Sequence, residues 1–567
     1  MLKLGNENLR YRIMLEAASV FLLSILVGSI MFGSKIDIDG LLHIMAASSW
    51  AEGNGFRIAD GCYTRAAAFT VTIGSLFYVF GENVNLAWIP PLFAGALISV
   101  ILFVWVRKEI GIAAAWITVI LFILAPISLE MFRFIRFYTL HSLAFLVGSI
   151  VLYELVQRRR ALLKDALLAS AAVLAFGLAH HLQKISLVGF IALGAWLVMI
   201  AAPAAFALAK DRPVLRWVLA GIGILGLAAI TVFLQSDFAE GLYRRYRTPL
   251  NWNIDTQNTV EFYYAFLREY YAMLIALLPV SIVIGLVKRP RFTIFAGTVF
   301  LVTVGLLSFA GPKADRYIYF VMPFFFALTS IVLVEIGRLV LSALSELLNR
   351  IGWTVLTLGY LRIMLYVVVL IGLFGWLIQS NGSRYWIVGL LTGTVRTDVM
   401  SESWQRLPEL LEDYLDDDRL IVVNREERAL YFIGDYDIAV TGGAAFDQTA
   451  GMANDMEFVV DPRFGRLLIT STDSMLRLMA CHPSGLIIAE TDKWRVNPMW
   501  GISNPVADMI EARTQRIPIP ENLRILAFAW DQPVQGTGHD CNMLDLRPVE
   551  APPCGWRQVF EAGLFWF

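Results

Sequence analysis

Charge is scarce in this chain. Only 16% of its 567 residues are Asp, Glu, Lys or Arg, where a soluble domain carries about a quarter, and this argues against a water-soluble enzyme of this length. Cysteine is scarce too: there are four, none in a CxxC pair, so no CxxC motif is present. The sequence shows no internal repeat and no low-complexity segment. The formal net charge of −1 identifies no class of partner.

Apolar sequence, by contrast, is abundant at 57%. A helix that crosses a bilayer needs about 20 mostly apolar residues. Runs of that kind occupy 14–32, 86–106, 112–128, 140–156, 166–182, 185–208, 214–234, 273–287, 293–309, 318–336 and 364–378, about eleven spans in all. No small-residue cleavage site follows the first run convincingly, so it is expected to be retained as a helix.

The positive charges give an orientation. With Lys3, Arg10 and Arg12 on the cytoplasmic side, alternation places Arg107-Lys108, Arg158-Arg159-Arg160, Lys210 with Arg212, and Lys288-Arg289 with Arg291 on that side as well. Arg338 and Arg350 join them, flanking an amphipathic stretch along the interface. An odd number of spans then leaves everything after about residue 379 outside. Cys62, Cys481, Cys541 and Cys554 all fall outside in this topology, where a disulfide is permitted, and Cys541–Cys554 is the easiest pair by sequence distance.

Two regions follow: a membrane region, 1–380, with a first outer loop at 34–85, and an extracytoplasmic region, 381–567. In the second, apolar runs shorten. Short apolar stretches at 420–423, 437–440, 467–470, 486–489 and 523–529 read as strands, and 403–414 and 426–432 as helices. Strand alternating with helix predicts a small α/β domain with a partly parallel sheet. The acidic run at 416–418 is read as a solvated turn.

Ionisable residues beside apolar spans are costly, so they are the candidates for function. Four groups stand out, all at the outer face in this topology. Asp37 and Asp39 follow the first span and suit a general base or a metal, or simply a helix N-terminus. Arg65, in Tyr63-Thr64-Arg65, precedes an apolar, re-entrant-looking stretch at 66–80. It suits a phosphate contact or an interfacial side chain reaching for water. Arg133 and Arg136 stand on the outer side, against the positive-inside tendency. His180-His181 and Lys184 come together with Asp315-Arg316-Tyr317 if the bundle closes. Adjacent His side chains point apart on a helix, which leaves a single His with one carboxylate as a metal option. Together these groups describe an outward-facing cavity suited to transfer from a lipid phosphate, with cations stabilising the leaving phosphate and an Asp as base.

The order of these motifs resembles the GT-C superfamily of membrane glycosyltransferases, in particular the branch with the protein O-mannosyltransferases and the aminoarabinose and galacturonic-acid transferases that modify lipid A. The resemblance covers residues from about 14 to 325. Asp39 occupies the place of the catalytic Asp, while Gly40 stands where those enzymes carry Glu and His43 where they carry Tyr. Arg65, Ala125-Pro126 with Arg133, Arg136 and Tyr138, then Lys184, then Arg316-Tyr317 fall in the family order.

The resemblance implies a polytopic α-helical membrane protein with a GT-C-like fold and inverting transfer of a sugar from a polyprenyl-phosphate donor. Asp39 would be the base, with Asp37 as its possible substitute, and Arg65, Lys184, Arg316 and Arg136 the donor-phosphate ligands. A divalent metal ion, with Asp37 and His181 as candidate ligands, is an option, and no organic cofactor is implied. The expected acceptor is an envelope lipid, glycan or protein at the outer face of the inner membrane, and nucleic acid is not an expected partner. The alternatives are a membrane transporter or flippase and a non-catalytic component of envelope assembly. Ionisable residues gathered at one face, without repeated halves, weigh against a transporter.

Overall fold

The computed structural model describes residues 2–30, 36–157, 161–210, 240–241, 247, 259–350, 399–415, 418–442, 457–495, 501–533, 541 and 554. Among the described residues, eight helices are long and apolar enough to cross a membrane, nine if one bent pair counts as a single span. Of the eleven expected spans, 214–234 and 364–378 lie outside the described residues. The other nine each have a helical counterpart. Large apolar side chains remain exposed along several of them, such as Leu162, Leu167, Val173 and Leu174. A water-soluble surface would not tolerate such a stripe, and a bilayer requires it.

The first helix, α1 (Leu2–Ser29), leads into α2 (Ile38–Ala51). A short antiparallel hairpin of β1 (Arg57–Ile58) and β2 (Gly61–Cys62) follows. The re-entrant-looking stretch forms α3 (Ala67–Phe80), 14 residues long and too short to span, packed against α2. Gly74 permits that packing: a Cβ there would sit 2.7 Å from the Trp50 ring.

Next come α4 (Val84–Ala87), α5 (Ile89–Glu109), α6 (Ile112–Leu124) and α7 (Pro126–Arg133). The expected span at 112–128 is broken where Pro126 forces Ala125 into an extended conformation, and α6 and α7 meet at 61°. This break turns the chain back so that the non-helical segment 134–137 runs beside α2. After it, α8 (Tyr138–Gln157) and α9 (Leu162–Leu182) pack as a pair. They are followed by α10 (Ser186–Lys210), α11 (Phe262–Lys288) and α12 (Pro290–Phe309). A 3₁₀ turn, Asp315–Val321, opens α13 (Met322–Arg350), whose apolar window is wholly buried at the centre of the bundle.

The C-terminal region begins with α14 (Val399–Gln405) and β3 (Leu420–Val423). Then come α15 (Glu426–Arg428), β4 (Ile438–Val440), β5 (Val459–Asp461), β6 (Arg466–Ile469) and α16 (Thr472–Cys481). It closes with β7 (Gly485–Glu490), α17 (Asn504–Arg513), β8 (Gln515–Ile517) and β9 (Ile525–Trp530). The strands form one sheet in the order β5-β6-β4-β3-β7-β9-β8, with β6, β4, β3 and β7 parallel and the outer three antiparallel. All five expected strands are present within a residue or two. Two short edge strands, β5 and β8, are additional, because three residues carry too little pattern to be read. The expected helix at 403–414 is interrupted at Arg406, just before Pro408.

The expected Cys541–Cys554 disulfide is corrected. Cys62 pairs with Cys554, 492 residues away, and Cys481 with Cys541. Sequence proximity loses here to the docking of the C-terminal region on the first loop. That docking is apolar at its centre: Leu42, Ala46, Ile58 and Tyr63 pack with Phe464, and Leu430 lies against them.

Candidate active site

Asp37 and Asp39 stand at the start of α2, and the helix separates them. Asp37 is the N-cap, in extended conformation and without a side-chain cap hydrogen bond. Asp39 lies in the first helical turn, where its side chain is 35% exposed. Its Oδ2 is 2.5 Å from Nη2 of Arg136.

Gly40 makes this approach possible. A Cβ at that position would lie 3.3 Å from the Ile135 Cβ, so the segment carrying Arg136 passes tightly over α2. The Gly at a position where the resembling enzymes have Glu therefore has a local steric reason.

Around Asp39 the cations alternate with aromatic rings. The Arg136 guanidinium lies over Phe134, Phe137 and Tyr138 at 5.5, 5.9 and 5.6 Å. Arg65 covers Phe137 at 5.6 Å. Arg316 lies over Tyr138 and Tyr317 at 5.8 and 5.7 Å and donates from Nε to the Tyr138 hydroxyl at 3.0 Å. Ring faces attract cations, which eases the crowding of three like charges.

Burial alone would raise the Asp39 carboxyl, but Arg136, then Arg65 and Arg316, outweigh it and hold it below the ordinary carboxylate value. Burial disfavours the Arg136 charge, and Asp39, with smaller contributions from Tyr138, Tyr63 and Asp37, together more than offsets it. Asp39 is thus a partly exposed carboxylate kept ionised among three guanidinium groups.

Two further side chains complete the site, and neither had a role assigned from the sequence. His43 is fully buried, its Nδ1 2.9 Å from Thr70 Oγ1 and its ring edge-on to Tyr63, Phe69 and Phe137. Burial pushes its pKa well below the usual histidine value, so it is neutral. Tyr63 is 5% exposed, and burial pushes its hydroxyl up to about 12. His43 Nε2, Tyr63 Oη and Arg136 Nε are all buried without a hydrogen-bond partner among the described residues. Buried polar atoms are seldom left unsatisfied, and here three gather around one carboxylate.

Lys184 and His181 belong to a neighbouring group. Lys184 stands beside His180 and His181, and burial lowers its pKa. His181 Nε2 accepts a 3.3 Å hydrogen bond from the Ala68 backbone N–H, at the start of α3. That bond engages the lone pair a metal would need, so Asp37 and His181 do not fit a shared metal in this arrangement. Among the described residues no three His, Cys, Asp or Glu side chains gather closely enough to hold an ion.

No family model matches the chain, and no curated protein matches it either. Solved structures do. ArnT from Cupriavidus metallidurans in the apo state superposes with a TM-score of 0.57 at 14% identity, over 93% of this chain and 98% of that one. The same enzyme bound to undecaprenyl phosphate gives 0.56 at 15% identity, over 93% and 99%. The archaeal oligosaccharyltransferase AglB from Archaeoglobus fulgidus, in complex with an inhibitory peptide and a dolichol-phosphate, gives 0.54 at 12% identity, over 88% and 72%. Over 93% of its length this chain shares the fold of ArnT.

Proposed function

We propose that the protein is an inverting glycosyltransferase that takes a sugar from a polyprenyl-phosphate donor and transfers it to a hydroxyl acceptor at the outer face of the inner membrane. The observation that carries this reading is the ionised Asp39 ringed by Arg136, Arg65 and Arg316. The likeness to one structure holding undecaprenyl phosphate and another holding a dolichol-phosphate supports the same donor class.

In the reaction the acceptor oxygen forms a bond to the anomeric carbon as the bond from that carbon to the phosphate oxygen breaks. The phosphate leaves with the electron pair, and the acceptor proton passes to Asp39. A phosphate is a good enough leaving group to need no proton donor, but its growing charge needs fixed cations. Arg65 and Arg316 supply them. Arg136 keeps Asp39 ionised and aimed. A carboxylate held below its ordinary pKa is a weak base, so the proton moves once bond formation has made the hydroxyl acidic. His43 Nε2 and Tyr63 Oη are placed to bind sugar or acceptor hydroxyls. No step is assigned to a metal ion.

The test is a comparison of envelope glycolipids and glycans by mass spectrometry in cells with and without the protein, and with Asp39→Asn. Loss of one modified species in both deficient strains supports the reading. An unchanged profile on deletion rejects it.

A further inference from the structure

Tyr63 and Arg65 lie on a loop that does not hold itself in place. The hairpin before them has only two residues in each strand, and a ladder that short is not stable alone. Ala59 at its turn has φ of 49°, and so does Ala66, directly after Arg65. Both occupy the left-handed region, which residues with a Cβ rarely adopt and keep only where surrounding contacts impose it.

Ala66 is buried in the core of the membrane helices; the contacts on the hairpin come from the C-terminal region, some 400 residues later in the chain. The turn 462–465, between β5 and β6, runs along the hairpin like a further strand. Asp60 N donates to Phe464 O and Cys62 N to Pro462 O, each at 3.0 Å. Arg466 pairs with Asp60 at 3.0 Å, and Cys62 is bonded to Cys554. Phe464 is wholly buried against Leu42, Ala46, Ile58 and Tyr63. The fit is close from both sides: a Cβ on Gly61 would lie 2.2 Å from the Arg463 carbonyl carbon, and one on Gly465 would lie 2.6 Å from that of Asp60.

The same turn carries charge toward the site. Arg463 pairs with Asp461 at 2.6 Å and with Glu427 at 3.3 Å. Glu427 is buried at the start of α15, which packs against α2, and it feels the charge of Asp39. The Arg463 charge in turn reaches Tyr63.

We propose that the turn 462–465 is a positioning element of the active site: it clamps the hairpin 57–62 and thereby sets Tyr63 and Arg65 against Asp39, so that lipid phosphate binds productively only with the C-terminal region docked. The binding part of this proposal rests on the lipid-phosphate reading above; the clamp itself does not.

The test uses the full-length protein in nanodiscs, with undecaprenyl phosphate as probe. Gly61→Ala and Gly465→Ala drive wedges into the clamp from opposite sides. Arg466→Gln, which removes the ion pair with Asp60 together with the one Arg466 makes to the 62%-exposed Asp435, is the milder variant should the wedges prevent folding.

Hydrogen exchange of peptides covering 57–70 is expected to speed up by about tenfold or more, since local opening is what the clamp opposes. Undecaprenyl phosphate affinity is expected to fall about tenfold, with little further loss when Arg65→Ala is added, because both changes remove the same contact. Unchanged exchange across 57–70 overturns the clamp. Faster exchange with affinity intact leaves the turn merely structural and overturns its positioning role. If the unaltered protein does not bind undecaprenyl phosphate, the lipid-phosphate reading fails, and the exchange measurement alone decides the clamp.

Discussion

Asp39→Asn is the most informative single change, because the structure assigns the carboxylate two separable roles. As a base, its loss is expected to lower kcat by about 10²–10⁴-fold, the usual contribution of a positioned proton acceptor. As a partner, its loss leaves the 3%-exposed Arg136 without its main counter-charge. Breaking a buried ion pair costs about 3–5 kcal/mol. Two features of this pair reduce that figure. Asp39 is 35% exposed, so solvent already screens it, and the guanidinium keeps its contacts with Phe134, Phe137 and Tyr138. A net loss of about 1–2 kcal/mol is therefore expected, seen as a drop of a few degrees in Tm with the protein still folded and inserted.

The double variant Asp39→Asn with Arg136→Gln separates the roles. Removing the stranded charge is expected to restore most of the lost Tm while leaving activity as low as in the single variant. Activity and product are followed by mass spectrometry of the glycolipid or glycan that disappears on deletion. Recovery of activity in the double variant, or near-normal turnover in Asp39→Asn alone, refutes Asp39 as the base. The pH dependence has a defined sign. A carboxylate whose folded pKa lies below its unfolded value stabilises the fold above the unfolded value, and that stability is lost as pH falls through the folded pKa. The Asp39–Arg136 pair is thus expected to hold throughout pH 5–8 and to fail only below about pH 4.

The other predictions touch distinct parts of the molecule. Arg316→Lys keeps the charge but cannot reproduce the Nε bond to Tyr138. Undecaprenyl phosphate binding is expected to weaken about tenfold, consistent with the value of one charge-assisted hydrogen bond, as read by thermal shift across a lipid titration. Gly74→Ala forces a methyl toward the Trp50 ring and the Ala47 carbonyl oxygen, 2.7 and 2.9 Å from its Cβ. Overpacking of this kind costs about 1–3 kcal/mol and should lower Tm without touching the cations around Asp39. Burial, reinforced by Glu427, raises the Glu426 carboxyl to about 7. Because it ionises more readily in the unfolded chain, it costs stability as pH rises from its unfolded value toward 7. Glu426→Gln is accordingly expected to raise Tm at pH 8 and to change it little at pH 4; equal shifts at both would contradict the assignment.

Much of the architecture was legible in the sequence because it is locally encoded. A membrane span needs a long apolar run and a parallel strand needs a short one, and both are properties of neighbouring residues. Nine of the eleven expected spans fall on described residues and have helical counterparts there. The break at Ala125 shows the limit of counting. Pro126 was visible, but the bend that brings Arg136 over Asp39 depends on packing.

Asp39 and the three arginines could be singled out one by one, because charge beside an apolar span is conspicuous. That they form one site, with Gly40 making room and with His43 and Tyr63 buried at its wall, is decided by closure of the bundle. The farthest contacts left no local trace. The sequence alone determined that this chain crosses a membrane and where its costly charges lie. Only the tertiary structure decided that Cys62 pairs with Cys554 and that the turn around Phe464 supports Tyr63. Such contacts depend on chain segments hundreds of residues apart meeting in space, and no local pattern of residue types records where two surfaces dock.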